Sequence, residues 1–149
     1  MPIVEYSQVI DGDTDRVWNV VKKFGGLAKW HPAIAESSVD NDKPDGMVGC
    51  IRKLKLRDGA MLRERLLSVD DRKLTLCYNF EESPLPLDNY VGTVKLARLS
   101  NQPRTFISWS SSFDVRSPET PGQYEQLILG LIVEGIASLE KFMLTAPEN

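Results

Sequence analysis

Arg52 and Glu64 are the residues whose types and spacing point to chemistry in an interior. If Leu56 joins Ala60 through the three-residue loop Arg57-Asp58-Gly59, Gly59 takes the left-handed position that such a hairpin requires. Arg52 then stands opposite Glu64, and Leu54 opposite Leu62, on a face shared with Cys50, Leu56, Ala60 and Leu66. Lys53, Lys55, Arg63 and Arg65 go to the other face with Ile51 and Met61. A two-residue loop would mix the faces, since a one-residue slip exchanges the two sides of a strand. Opposite charges inside a leucine face are weak evidence for stability, because desolvating them is costly. They are what an interior site would carry. A guanidinium suits a carboxylate or enolate oxygen through its planar donor fork. A glutamate in apolar surroundings suits proton transfer, although a neighbouring arginine pulls its pKa the other way.

The same alternation sends Leu74, Leu76, Tyr78 and Phe80 inward, then Tyr90, Gly92, Val94 and Leu96, then Ile107, Trp109, Ser111 and Phe113. An ion pair, two tyrosines and a tryptophan among leucines describe a pocket wall better than a dry core. Gly130 and Gly135 lie within a long helical pattern, where glycine costs roughly 1 kcal/mol against alanine, so either a cavity or close packing needs the space. His31 is the one histidine, which excludes sites needing two His ligands. It could shuttle a proton beside Trp30 and Pro32; the expected role is structural, capping a short helix or meeting solvent. Ser108, Ser110, Ser111 and Ser112 lack a Gly-x-Ser-x-Gly elbow. Asp11-Gly12-Asp13 and Asp70-Asp71 do not continue into a calcium loop and read as solvated turns. No metal and no cofactor is expected. Cys50 and Cys77 form no C-x-x-C pair and read as reduced, semi-buried thiols.

The elements that must position these residues follow from periodicity and turn chemistry. Residues 3–10 read as a strand, and Asp13 or Thr14 caps a helix with Val17, Trp18, Val21 and Phe24 on one face, stopped by Gly25-Gly26. A short helical piece spans 27–30. Extended runs follow near 35–41, 47–56, 60–69, 73–81, 89–99 and 104–115, separated by turns such as Lys43-Pro44-Asp45-Gly46 and Ser83-Pro84-Leu85-Pro86. Thr120-Pro121-Gly122-Gln123 opens a long amphipathic helix with Tyr124, Leu127, Ile128, Leu131, Gly135, Leu139 and Phe142 on its seam. Short connections make the sheet antiparallel and the class α+β.

At 149 residues the chain is the size of one domain, and at 42% hydrophobic and 26% charged it is too apolar to be disordered. A net charge of -3 argues against nucleic acid as a partner. No run approaches a membrane span, and the start lacks the layout of a secretory signal, so a cytoplasmic location is expected. The oligomeric expectation is a monomer or homodimer.

Val48-Gly49-Cys50-Ile51-Arg52, Asp58-Gly59, Arg63-Glu64-Arg65-Leu66 with Asp70-Asp71, and Asn89-Tyr90 before a strand, together with Val17-Trp18, Trp30-His31-Pro32 and the terminal helix, resemble the START/Bet v 1-like superfamily (SRPBCC), within it the polyketide cyclase/dehydrase and lipid-transport-like group. The resemblance implies a helix-grip fold: a curved seven-stranded antiparallel sheet around the C-terminal helix, in the order β-α-α-β-β-β-β-β-β-α, with a hydrophobic cavity between them. More distantly the chain resembles plant abscisic-acid receptors. That likeness implies pocket positions for Glu64 and Tyr90 and a cavity-mouth loop at 83–87. The receptor's gate loop is replaced by Arg57-Asp58-Gly59 and its carboxylate-holding lysine by Ala35, which argues against hormone reception.

Three functions compete. The first is a non-catalytic binder of a small hydrophobic lipid, polyketide or aromatic molecule, lined by Trp30, Arg52, Leu54, Leu62, Glu64, Leu66, Leu76, Tyr78, Phe80, Leu85, Tyr90, Trp109, Leu127 and Leu131. The second is a cyclase or aromatase with Arg52, Glu64 and Tyr78 as catalytic candidates. The third is a protein-interaction module, which would expose an apolar patch at Trp30, Pro84, Leu85, Pro86 and Leu87.

Overall fold

The computed structural model describes residues 2–116 and 122–145. Seven strands form one antiparallel sheet: β1 (Ile3–Asp11), β2 (Ile34–Val39), β3 (Ile51–Leu56), β4 (Met61–Asp70), β5 (Thr75–Glu82), β6 (Leu87–Arg98) and β7 (Arg104–Val115). Their order across the sheet is β1-β7-β6-β5-β4-β3-β2. Helix α1 (Thr14–Val21) and a 3₁₀ helix (Phe24–Lys29) connect β1 to β2, and α2 (Gln123–Thr145) follows β7. The element order is that of the expected helix grip.

The 51–66 hairpin has the register that its polarity pattern demands. Arg52 pairs with Glu64 and Leu54 with Leu62. Gly59 takes φ +94° in the turn, where the Leu56 N–H donates to the Ala60 carbonyl at 2.8 Å. Inward positions on β5, β6 and β7 alternate as expected, with Leu76, Tyr78, Tyr90, Val94, Leu96, Ile107, Trp109, Ser111 and Phe113 buried. Both cysteines are free.

Four local expectations are corrected. The run expected to extend from 47 to 56 is a strand only from Ile51, because Cys50 N–H closes a turn onto the Met47 carbonyl around Gly49, whose φ is +94°. Helix α1 ends at Val21, and Phe24 opens the 3₁₀ helix that runs through Gly25-Gly26 instead of stopping there. Ser37 Oγ holds that segment by accepting from Ala28 N–H and donating to the Gly25 carbonyl. Strand β6 begins at Leu87, two residues before the expected 89, and carries a bulge where Asn89 takes φ 56°. Helix α2 buries Ile128, Ile132, Ile136, Leu139 and Met143, while Leu127 is 44% exposed. The isoleucine row meets the sheet, and Leu127 and Leu131 sit beside it over empty space. Thr120 and Pro121, read as part of that helix's cap, lie outside the described residues.

One end of the interior is closed by the two short helices. Val17, Trp18, Val21, Phe24 and Leu27 are buried there, and Trp18 Nε1 donates to Asp71 Oδ1 at 2.8 Å, tying α1 to the β4–β5 turn. The acidic clusters are spent on such local tasks. Asp13 caps α1, and Asp70 Oδ1 accepts from the backbone of Arg72 and Lys73.

Candidate functional site

Between the sheet and α2 lies a cavity of about 280 Å³. Arg52, Leu54, Leu62, Glu64, Tyr78, Phe80, Leu85, Tyr90, Trp109, Leu127 and Leu131 line it, as the sequence led us to expect. Trp30, Leu66 and Leu76 do not. Leu66 is 1% exposed in solid core, and Trp30 and Leu76 border a separate void of about 20 Å³ with Val21 and Val94. The cause is a partition. Arg52, Tyr78, Leu27 and Trp109 line both spaces, so their side chains form the wall between them. Residues not among the expected site residues complete the lining: Ala33, Ile34, Leu56, Arg57, Asp58, Ala60 and Pro84, with Ile128 and Ile132 of α2. Arg57 fastens this part of the lining, donating through Nε to the Pro32 carbonyl and through its backbone N–H to the Ala33 carbonyl. The turn's proximity to the 31–34 segment was the missing signal, and it depends on tertiary packing.

The ion pair is inside. Arg52 and Glu64 are each 5% exposed. Arg52 Nε and one terminal nitrogen both reach Glu64 Oε1, at 2.7 and 2.6 Å, and Nη1 donates to the Phe24 carbonyl at 3.2 Å. Two rings adjoin the guanidinium, with Cζ 3.9 Å from the Phe24 centroid and 4.9 Å from that of Tyr78. Burial pushes the Glu64 carboxyl above its ordinary range, against the pull of Arg52. The second oxygen, Oε2, takes no hydrogen bond among the described residues, yet it is not sealed off. As Glu64 lines the cavity, that oxygen is the acceptor it presents there.

Aromatic residues form the adjoining wall. Phe80 and Tyr90 stack at 3.9 Å between centroids with 9° between planes. Trp109 Nε1 donates to the Tyr78 hydroxyl at 2.9 Å, and the Tyr90 hydroxyl and Ser111 Oγ lie 2.8 Å apart. Burial drives both phenols up from their ordinary pKa, so they stay protonated at neutral pH. Gly92, paired with Tyr78, makes this possible: a Cβ there would lie 2.3 Å from Tyr78 Cζ.

His31 is neither a solvent residue nor a simple helix cap. It is 3% exposed, accepts the Ala33 N–H at Nδ1 (3.2 Å) and is left to donate through Nε2 to the Leu131 carbonyl of α2 (2.8 Å). Gly135 admits the ring, since a Cβ there would lie 2.8 Å from His31 Cδ2 and 2.9 Å from Trp109 Cζ3. Close packing therefore explains Gly135; Gly130 has nothing within 4 Å, and nothing in the structure requires glycine there. Burial lowers the imidazole below its ordinary 6.5, with the Leu131 hydrogen bond and Glu134 opposing and Arg52 pushing the same way. A proton would also turn Nδ1 into a donor facing the Ala33 N–H. The unfolded chain thus binds a proton near pH 6 that the folded chain refuses, so this contribution is complete above about 6.5 and declines as pH falls towards the folded value. Urea midpoints at pH 7.5 and 5.5 should drop further on acidification in the wild type than in His31→Gln, which keeps a donor for Leu131 but does not titrate. Equal drops would dismiss the imidazole as the cause.

Comparison with known proteins places this geometry. The family described as polyketide cyclase / dehydrase and lipid transport matches residues 1–141. No curated protein matches the chain. Among solved structures, the protein XoxI from Bacillus cereus is 23% identical with a TM-score of 0.85, each chain covered over 100% of its length. Ginseng major latex-like protein 151 from Panax ginseng is 15% identical with a TM-score of 0.79, covering 96% of this chain and 97% of that one. Norcoclaurine synthase from Thalictrum flavum, solved in complex with dopamine and hydroxybenzaldehyde, is 21% identical with a TM-score of 0.76, covering 99% and 89%. At these identities the solved structures establish the Bet v 1-like fold. With the match along nearly its whole length, the chain belongs to the polyketide cyclase / dehydrase and lipid transport family.

Proposed function

We propose that this protein binds a small, mostly apolar molecule in the cavity beneath α2. The observation that carries this reading is that the space stays open between leucines and aromatic rings, with an ion pair and two phenols at its wall. Its volume is at the lower edge of the roughly 300–1,000 Å³ of small-molecule sites, which favours a molecule of one or two rings over a long lipid. Residues 83–87 form a rim: Leu85 is half-buried and lines the cavity, while Trp30 and Leu87 are buried. The continuous exposed patch required of a protein-interaction module is therefore missing at these residues. 1-Aminonaphthalene, a neutral two-ring fluorophore, should bind saturably with one-to-one stoichiometry. Leu131→Trp, which pushes an indole into the cavity from half-buried Leu131, should weaken that binding at least tenfold while the protein stays folded. A probe that does not saturate, or that ignores the substitution, rejects the reading.

A catalytic version with Arg52, Glu64 and Tyr78, of cyclase or aromatase type, draws support from the raised Glu64 carboxyl and its open oxygen. Arg52 could meet an enolate only by loosening its bonds to Glu64 and Phe24. Turnover of a polyketide-like substrate that disappears in Glu64→Gln would favour catalysis; binding without turnover favours a carrier.

A further inference from the structure

The polar groups of the cavity select the polar end of the ligand. Arg52 would ordinarily suggest a carboxylate, yet three of its five N–H groups are committed, Nε and one terminal nitrogen to Glu64 Oε1 and Nη1 to the Phe24 carbonyl, and its charge is already matched by Glu64. What the buried pair leaves open is an acceptor, Glu64 Oε2. Tyr78 receives the Trp109 Nε1–H on its oxygen, and its own O–H can turn either to the neighbouring Tyr90 hydroxyl or to a ligand. The cavity thus offers an anionic acceptor and a neutral donor. We propose that the ligand carries a neutral hydroxyl on an aromatic ring, donating its hydrogen to Glu64 Oε2, and that the site discriminates against carboxylates; this rests on the binding reading above.

The alternatives fit the same groups worse. A carboxylate has no hydrogen to donate and would bring a second negative charge against Glu64, a repulsion that low-dielectric surroundings magnify. An ammonium can donate to Glu64 but accepts nothing from Tyr78, and it leaves the otherwise neutral Arg52–Glu64 pair with a net buried charge. A hydroxyl does both jobs at no cost in charge. Rings are the matching body, since Phe80, Tyr90 and Tyr78 wall the space around these groups.

Four probes of one ring system test this: 2-naphthol, naphthalene, 2-methoxynaphthalene and 2-naphthoate, titrated at pH 7.5 by quenching of tryptophan fluorescence. A hydrogen bond to a charged acceptor predicts that 2-naphthol binds about tenfold or more tightly than each of the other three. In Glu64→Gln, with the amide oxygen kept by Arg52, the amide NH₂ replaces Oε2 as the group presented to the ligand. That variant should lose the preference for 2-naphthol, gain affinity for 2-naphthoate and bind naphthalene as the wild type does. If Glu64→Gln fails to fold, 2-methoxynaphthalene decides, because it keeps the oxygen and lacks the hydrogen. Equal binding of 2-naphthol, its methyl ether and naphthalene, or tightest binding of 2-naphthoate, overturns the hydroxyl assignment while leaving the cavity as a binding site. Failure of all four to bind overturns both.

Discussion

Arg52→Leu should cost about 3–5 kcal/mol of stability at neutral pH, because it removes the one cation beside a carboxylate that is 5% exposed. The ion pair's own net worth is small; most of the loss is the penalty of leaving Glu64 ionised without a partner. That origin has a signature in pH. Burial already raises the Glu64 carboxyl, and without Arg52 nothing nearby opposes the rise. A group whose folded pKa lies above its unfolded value contributes stability that is present below the unfolded value and lost as pH climbs through the folded one. The variant should therefore be more stable at pH 5 than at pH 8, beyond any such change in the wild type. Arg52→Leu/Glu64→Leu should recover most of the loss, as apolar replacement of a buried pair often does. Guanidinium denaturation of the variants at the two pH values is the measurement. A single variant as stable as wild type at pH 8, or a double variant no better than the single, would refute the account.

Gly92→Ala should be nearly as damaging, although the substitution is ordinarily mild. The new methyl would lie 2.3 Å from Tyr78 Cζ and 2.6 Å from its hydroxyl oxygen, so the ring must move. Overpacking of this kind costs about 1–3 kcal/mol. Displacing the hydroxyl from Trp109 Nε1 leaves an indole N–H unpaired in a 6% exposed residue, worth about 1–3 kcal/mol more. The ring has two directions in which to yield, into the cavity or against Arg52, and either spoils the binding wall. The fluorescent probe's affinity and the urea midpoint should fall together. Tyr78→Leu/Gly92→Ala should cost less than the two single losses added, because the clash exists only when both the ring and the methyl are present. Strict additivity would place the damage elsewhere.

The parts legible in the sequence share one property: they depend on a period of two. Arg52 opposite Glu64, the inward tyrosines and Trp109 all follow from alternation plus one turn whose length the polarity pattern decides. What the sequence concealed depends on geometry that alternation does not carry. The bulge at Asp88–Val91 interrupts the register at the start of β6. The buried seam of α2 keeps Ile128, Gly135 and Leu139 of the expected row but takes Ile132, Ile136 and Met143 in place of Leu131 and Phe142, because a helix of leucine and isoleucine offers two adjacent apolar rows and only docking chooses between them. Trp30, Leu66 and Leu76 point to the apolar side as expected, but the sheet's interior is divided, and which compartment a side chain enters depends on where Arg52 and Tyr78 stand. His31 meets its partner 100 residues away. Its neighbours in the sequence say nothing of Gly135.

The sheet's connectivity bears on how the chain acquires its fold. β2 to β7 are successive neighbours, so each can zip onto its predecessor as a local hairpin. β1 is different: Ile3 pairs with Ser112, and Asp11 with Arg104. β1 must wait for β7, some hundred residues further along the chain, and α2, which packs against β1, comes later still. Until then β7 presents an unpaired edge, with Trp109 and Phe113 short of their cover. Non-local pairing of this kind sets folding on a scale of milliseconds to seconds, and the waiting intermediate is the species most exposed to aggregation.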